Sequence, residues 1–168
     1  MIVRGPFEVS WNNNTVTDVE DLGVDYSVDT SDYTTVGGKT IEVAGPHKVV
    51  VTMTLLATDV ESLSAVLPQY DVNAGGTLST GELVSGAGAI DIVPGGCGAA
   101  TVYSDLAVTA CGLNPQVFRV VNARTEIDSV EIDSSKVRKV LVRFIGEAAE
   151  DEATVQFFAE NDITPVVS

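Results

Sequence analysis

Apolar and polar residues alternate with a period of two along most of this chain, the spacing of strands that bury one face and wet the other. Phe7, Val9 and Trp11 alternate with Glu8 and Ser10, and the turn signal Asn12-Asn13-Asn14 leads into residues 15–19 as a hairpin partner. In the next segment Leu22, Val24, Tyr26 and Val28 share one face and Asp21, Asp25, Ser27 and Asp29 the other, which predicts a core face backed by an anionic one. Gly37-Gly38 marks a turn into a short strand at 39–44, which Gly45-Pro46 should break. Residues 48–57 form the most apolar stretch and read as a central strand. Val49, Val51, Met53 and Leu55 should face the core, with Val50, Thr52, Thr54 and Leu56 on a second, at least half-covered face. A sheet covered on both sides needs a second sheet, a helix or another subunit.

One helix interrupts this pattern, at about 59–67. Thr58 and Glu61 have capping-box spacing, Val60, Leu63 and Leu67 form an apolar stripe, and Pro68 stops the run. The stripe should lie across a sheet. Residues 72–98 follow as a long excursion holding eight of the 15 glycines. Leu83, Val84, Ile90, Ile92 and Val93 are too apolar for a solvated linker and sit as two β-like patches around the Ser85-Gly86-Ala87-Gly88 turn signal. The segment reads as a projecting hairpin arm that would order against a neighbour, because fixing many glycines costs backbone entropy.

Alternation resumes at 106–111, 117–123, 124–132, 136–145 and 154–158, with 163–167 as a further edge strand. Residues 126–133 and 136–140 resemble a hairpin with an acidic first strand and a basic second, whose register opposite charges would set. Six of the nine basic residues, Arg119, Arg124, Lys136, Arg138, Lys139 and Arg143, fall in this region, while Asp18, Glu20, Asp21, Asp25, Asp29 and Asp32 cluster near the start. Such patches can dock one subunit on another, or neutralise each other within one chain; both readings stand at this point.

With 168 residues and 45% hydrophobic content, the chain has enough apolar material for a single domain, 1–168, with its own core. No run approaches the roughly 18 apolar residues of a membrane-spanning helix, so no membrane contact is expected. The opening Met1-Ile2-Val3-Arg4-Gly5-Pro6-Phe7 lacks the apolar region of a signal peptide, and cytoplasmic synthesis is the expectation. A net charge of −15 disfavours sequence-specific nucleic-acid binding. Cys97 and Cys111 are either two thiols or one bridge formed after release into an oxidising medium. His47 is the sole histidine, beside Pro46. No calcium loop, H-E-x-x-H, nucleophile elbow or P-loop occurs, and Gly95-Gly96-Cys97-Gly98 lacks dinucleotide-binding spacing. Neither an enzyme nor a cofactor is expected.

The order of elements resembles the major tail tube proteins of long-tailed bacteriophages: the opening strand Gly5-Pro6-Phe7-Glu8-Val9-Ser10-Trp11, a tight turn, acidic alternating strands, a Gly-Gly turn, the long apolar strand, one capped helix, a long loop and a return of strands. The likeness covers nearly the whole chain, in pattern rather than in a diagnostic motif. It implies an all-β sandwich of two antiparallel sheets with one flanking helix. It also implies assembly of copies into stacked hexameric rings, together with other tail proteins, in the tail of a virion, forming a conduit through which genome DNA passes. In that picture the 72–98 arm is the inter-ring hairpin, Asp21, Asp25 and Asp29 are lumen-lining candidates, and the six basic residues lie at subunit contacts. The alternatives are another structural β-sandwich, such as a capsid decoration or fibre-like protein, and a carbohydrate-binding module.

Overall fold

The computed structural model describes residues 7–16, 19–56, 59–93, 101–132, 138–148 and 152–164. Eight of its strands form one hydrogen-bonded sheet, a path of seven with an eighth branching from it, that folds into two leaves. The first leaf runs β2 (Asn14–Val16), β1 (Phe7–Trp11), β7 (Ser104–Ala110), β8 (Gln116–Ile132) and β10 (Val155–Ala159). The second runs β8, β9 (Arg138–Ala148), β4 (Thr40–Leu55) and β3 (Val19–Thr34). β8 serves both: its first residues pair with β7 and β10, and from Arg124 onward it pairs with β9. All pairings are antiparallel. The described residues thus form an all-β antiparallel sandwich with one α-helix, the architecture the resemblance implies, built from strands that the alternation predicts.

Val9 and Trp11 from β1, Leu106 and Val108 from β7, and Phe118 and Val120 from β8 meet Val49, Val51, Met53 and Leu55 of β4 and Val140, Val142 and Phe144 of β9 between the leaves. The face assigned to β4 from its alternation is therefore the buried one. Trp11 stands edge-on to Phe144, with ring centroids 5.8 Å apart, and its Nε1–H donates to the Ala123 carbonyl at 3.0 Å. Asn12 and Asn13, both left-handed at φ 52 and 62, make the tight turn from β1 to β2. The helix α1 (Val60–Val66) packs Val66 and the following Leu67 into the same core. Its N-cap is Asp59 and not Thr58, which lies outside the described residues. The Asp59 carboxylate accepts from the Ser62 N–H at 3.2 Å and the Ser62 hydroxyl at 2.9 Å, so a carboxylate one residue later does the capping.

Gly45-Pro46 does not end a strand. β4 runs through it, and the register slips there between Val28 opposite His47 and Thr30 opposite Ala44. A bulge absorbs the proline because β9 stops pairing at His47, leaving this stretch of β4 with only one neighbour. Beyond it β3 and β4 continue as a two-stranded ribbon to the turn at Val36 and Gly37, past the end of the second leaf.

Gly146 sits where β9 presses against β8. A methyl group there would come 2.6 Å from Val120 Cγ1 and 3.0 Å from Val49 Cγ1, both in the packed interior. Gly146→Ala should cost about 1–3 kcal/mol through overpacking. Gly23→Ala, with no atom within 4 Å of its new methyl, should change little. Paired thermal melts check the contrast, and equal midpoints would show that the interior yields at Gly146.

Candidate assembly surfaces

A strand edge exposes a row of unpaired N–H and C=O groups, and soluble domains usually block it with lysine, proline or a covering segment. Among the described residues, β3 pairs only with β4, and β8 from Arg124 to Ile132 pairs only with β9. The second leaf is therefore open on both sides. At the β8 edge the Gln69 side chain donates to the Thr125 carbonyl at 2.8 Å, covering its start. Farther along, Val130 and Ile132 are 55% and 75% exposed. They border an aliphatic groove of about 280 Å³ that includes Leu63, Ile90, Ile92 and Val140.

The opposite edge corrects the sequence reading. Val24 and Tyr26 pair with Val51 and Val49 and so lie on the core side of the leaf, yet they are 46% and 54% exposed, and Val28 is exposed as well. Only Leu22 of this set packs on the core. A cleft of about 380 Å³ opens between β3 and the first leaf, lined by Leu22, Val24, Phe7, Val108, Phe118 and Phe157, with Glu20 and Asp21 also at it. Phe157 is exposed although its ring lies 5.3 Å from that of Phe118. The alternation is intact; the second layer stops short of β3.

Asp21 and Asp25 stand in different settings along β3. Asp25, exposed, stands opposite Val50, whereas Asp21 lines the apolar cleft. Asp29 falls at the register shift between Val28 and Thr30, and its side chain lies outside the described residues. The bulges at both ends of this stretch reset the period of two, which sequence alternation cannot anticipate. Where the ribbon leaves the leaf, the Tyr26 hydroxyl and His47 Nδ1 are 2.5 Å apart.

Three of the six basic residues form ion pairs within the chain. Arg124 pairs with Glu126 and, at 3.7 Å, with Glu147; Arg143 reaches Glu126 at 3.0 Å and Asp128 at 3.7 Å. Lys139 meets Glu20 of the far strand β3 at 2.8 Å. The β8–β9 register places Glu126 opposite Arg143 and Glu131 opposite Lys139, so the acidic and basic strands pair as their charges suggest. Arg119 lies on the first leaf instead, with its guanidinium 4.5 Å over the Phe158 ring. Lys136 and the Arg138 side chain lie outside the described residues. Thus Arg124, Lys139 and Arg143 are neutralised within the chain.

This ladder is pH-sensitive. The hydrogen bond from Arg124 holds the Glu126 carboxyl below the usual carboxylate range against the opposing effect of burial, and attraction to Arg124, Arg143 and Lys48 adds to it. A carboxyl depressed in the folded state contributes stability that is fully present above its unfolded pKa, about 4.3, and is lost as pH falls through the folded value. Glu126→Gln should therefore flatten part of the fall in stability below about pH 4.3, read from thermal midpoints across acid pH. An identical acid limb in the variant would contradict this assignment.

The glycine-rich excursion is nested. β5 (Asp71–Val72) pairs with β6 (Ala89–Ile90) at its base, and Thr77 bridges Leu83 further out. The two apolar patches thus pair with earlier residues and not with each other. Gly81, at φ 101, closes the inner turn onto Leu78, and Asp91 accepts from the Ser79 N–H at 2.7 Å, folding the tip back toward the base. Leu83 is exposed, Val84 buried, Ile90 half-buried, and Ile92 and Val93 exposed. Residues 94–98, including Cys97, lie outside the described residues; Cys111 is exposed.

Among the described residues no group of three or more His, Cys, Asp or Glu side chains gathers to hold a metal. Among the same residues no helix is long and apolar enough to cross a membrane.

No family model matches the chain, and no curated protein matches it. Among solved structures it is similar to the sheath/tube terminator of an extracellular contractile injection system, PVC, in the extended state, at 15% identity and a TM-score of 0.45, over 94% of this chain and 100% of that one.

Proposed function

We propose that this chain is a structural subunit that joins copies of itself head-to-tail through the two open edges of its second leaf, closing rings that stack into a tail-like tube. The observation that carries the reading is the four-stranded leaf β8-β9-β4-β3, whose two outer strands have no partner on their outer sides among the described residues. Its strands alternate in direction, so a second copy placed in the same orientation sets its β8 antiparallel to β3 of the first and continues the hydrogen-bonding pattern. The two edges differ in sequence, so the contact is heterologous, which closes rings or propagates filaments. Val130 and Ile132 of one copy would cover Val24, Tyr26 and Val28 of the next.

Six-fold rings, a tail location, contact with other tail proteins and passage of genome DNA rest on the resemblance in sequence pattern to tail tube proteins. In a closed ring one face of the leaf lines the bore. On its solvent side this leaf presents Asp25 together with the Arg124, Glu126, Arg143 and Glu147 ladder, so the lining is mixed in sign. A chain of net charge −15 would still repel a duplex carrying one negative charge per about 1.7 Å, which favours passage without gripping. The ribbon of β3 and β4, and the excursion bearing Leu83, Ile92 and Val93, would reach the next ring.

Negative-stain imaging and light scattering of the purified protein, in low and moderate salt, test the reading. Rings or tubes are the expected result. A monomer at every concentration, even with fragments of assembled material added as seeds, would overturn it.

A further inference from the structure

We propose that the layer opposite the second leaf also joins across the seam. The shelf formed by α1 and the base of the excursion in one copy seats in the apolar cleft beside β3 of the next, so that one core runs on from copy to copy. The proposal rests on the edge-to-edge reading above and adds a second contact, made by side chains that the pairing of strand edges does not itself require.

Two rows of apolar side chains cross the second leaf from edge to edge. Ile127, Val142, Met53 and Leu22 stand opposite one another on β8, β9, β4 and β3, and Val130, Val140, Leu55 and Val19 form a parallel row. The middle residues of both rows are buried, and Val19, Leu22 and Ile127 pack against the core. Neither row ends on a polar residue. An interior that reaches both edges of a leaf in this way leaves apolar surface at each end, and such surface marks a contact site.

Each end opens into a depression. Ile127 and Val130 line the aliphatic groove of about 280 Å³ together with Leu63, Ile90 and Ile92. Leu22 and Val24 line the cleft of about 380 Å³ together with Phe7, Phe118 and Phe157. Ile127 and Leu22 belong to one row, so the two depressions lie at the same height along the strands. A copy that continues the leaf at that height brings its groove against the cleft.

The shelf is held in place before any partner arrives. Asp91, between the two isoleucines, accepts from the Ser79 N–H at 2.7 Å and the Ser79 hydroxyl at 3.1 Å, and its own N–H donates to the Tyr70 carbonyl at 2.8 Å. Ile90 pairs with Asp71 of β5. The aspartate side chain is thereby tied to the excursion, while Ile90 and Ile92 both line the groove. Side chains ordered in advance lose little freedom on binding. A second copy fills both depressions with one contact, because every chain carries one shelf and one cleft and a heterologous contact uses one of each. A small apolar ligand would fill one depression and leave the other open.

Disulfide trapping tests this contact. In a chain carrying Cys97→Ser and Cys111→Ser, the pair Ile92→Cys and Phe157→Cys should give a ladder of linked chains on mild oxidation with copper phenanthroline, and either cysteine alone should give no ladder. In the otherwise native chain, Ile92→Lys or Phe157→Lys should raise the concentration of half-assembly about tenfold or more, since each replaces an apolar contact by an ammonium that the seam would desolvate. Thermal melts confirm that each variant is folded. Normal tubes from the paired-cysteine chain with no ladder would overturn this contact and leave edge pairing standing. Unaltered assembly by both folded lysine variants would overturn it as well, and would mean that something other than a copy covers the cleft. A native chain that stays monomeric at every concentration, even when seeded, would remove edge pairing and this contact with it.

Discussion

Replacing Val130 and Ile132 together with lysine is expected to abolish ring and tube formation while the domain stays folded. Both side chains are more than half exposed, so the exchange removes little buried apolar area, and surface changes of this kind usually move stability by less than about 0.5 kcal/mol. The effect on association should be far larger. Natural domains use edge lysines to prevent strand-to-strand pairing, because joining the edges would desolvate the ammonium. Light scattering should fall to the monomer mass, with an unchanged thermal midpoint. A second variant, Val24→Lys with Tyr26→Lys, attacks the other side of the same contact and should give the same monomer. Mixing the two variants should yield dimers and no larger species, since each retains one intact edge and the two intact edges are complementary. Full-length tubes from either variant alone would eliminate edge pairing as the mode of assembly.

Trp11→Ala should leave little folded protein at ambient temperature. The side chain is almost fully buried, stacks edge-on with Phe144 and donates to the Ala123 carbonyl. Truncating a buried tryptophan costs about 3–5 kcal/mol, and the orphaned carbonyl adds about 1–3 kcal/mol. Against a total of about 5–15 kcal/mol for a domain, that is most of the stability. Ala123 lies where β8 passes from one leaf to the other, so the bond ties β1 to the strand shared by both sheets. Trp11→Phe keeps most of the ring and loses only the donor, and should cost about 1–3 kcal/mol. Urea unfolding distinguishes the two. A midpoint for Trp11→Ala close to that of the native chain would mean that the interior collapses around the gap.

How much was legible in advance divides along a physical line. Local patterns determined what is local: the period of two in Val49, Val51, Met53 and Leu55 identified their buried face, because a strand alternates whatever it packs on. The Asn12-Asn13 turn followed from the tolerance of asparagine for left-handed backbone. The helix followed from its stripe and its proline stop, although Asp59 outcompeted Thr58 as the cap. The charge register of Glu131 on Lys139 followed from adjacent strands in sequence.

Only the tertiary structure decided which apolar faces are covered. Val24, Tyr26 and Val28 have the pattern of a core strand, but burial depends on whether another layer lies over them, and that is set by residues far away in the chain. Bulges escaped for a related reason. One extra residue resets the alternation and carries no composition of its own, which is why Asp21 and Asp25 parted. The open edges at Val130 and Ile132 depend on which strands end up neighbours.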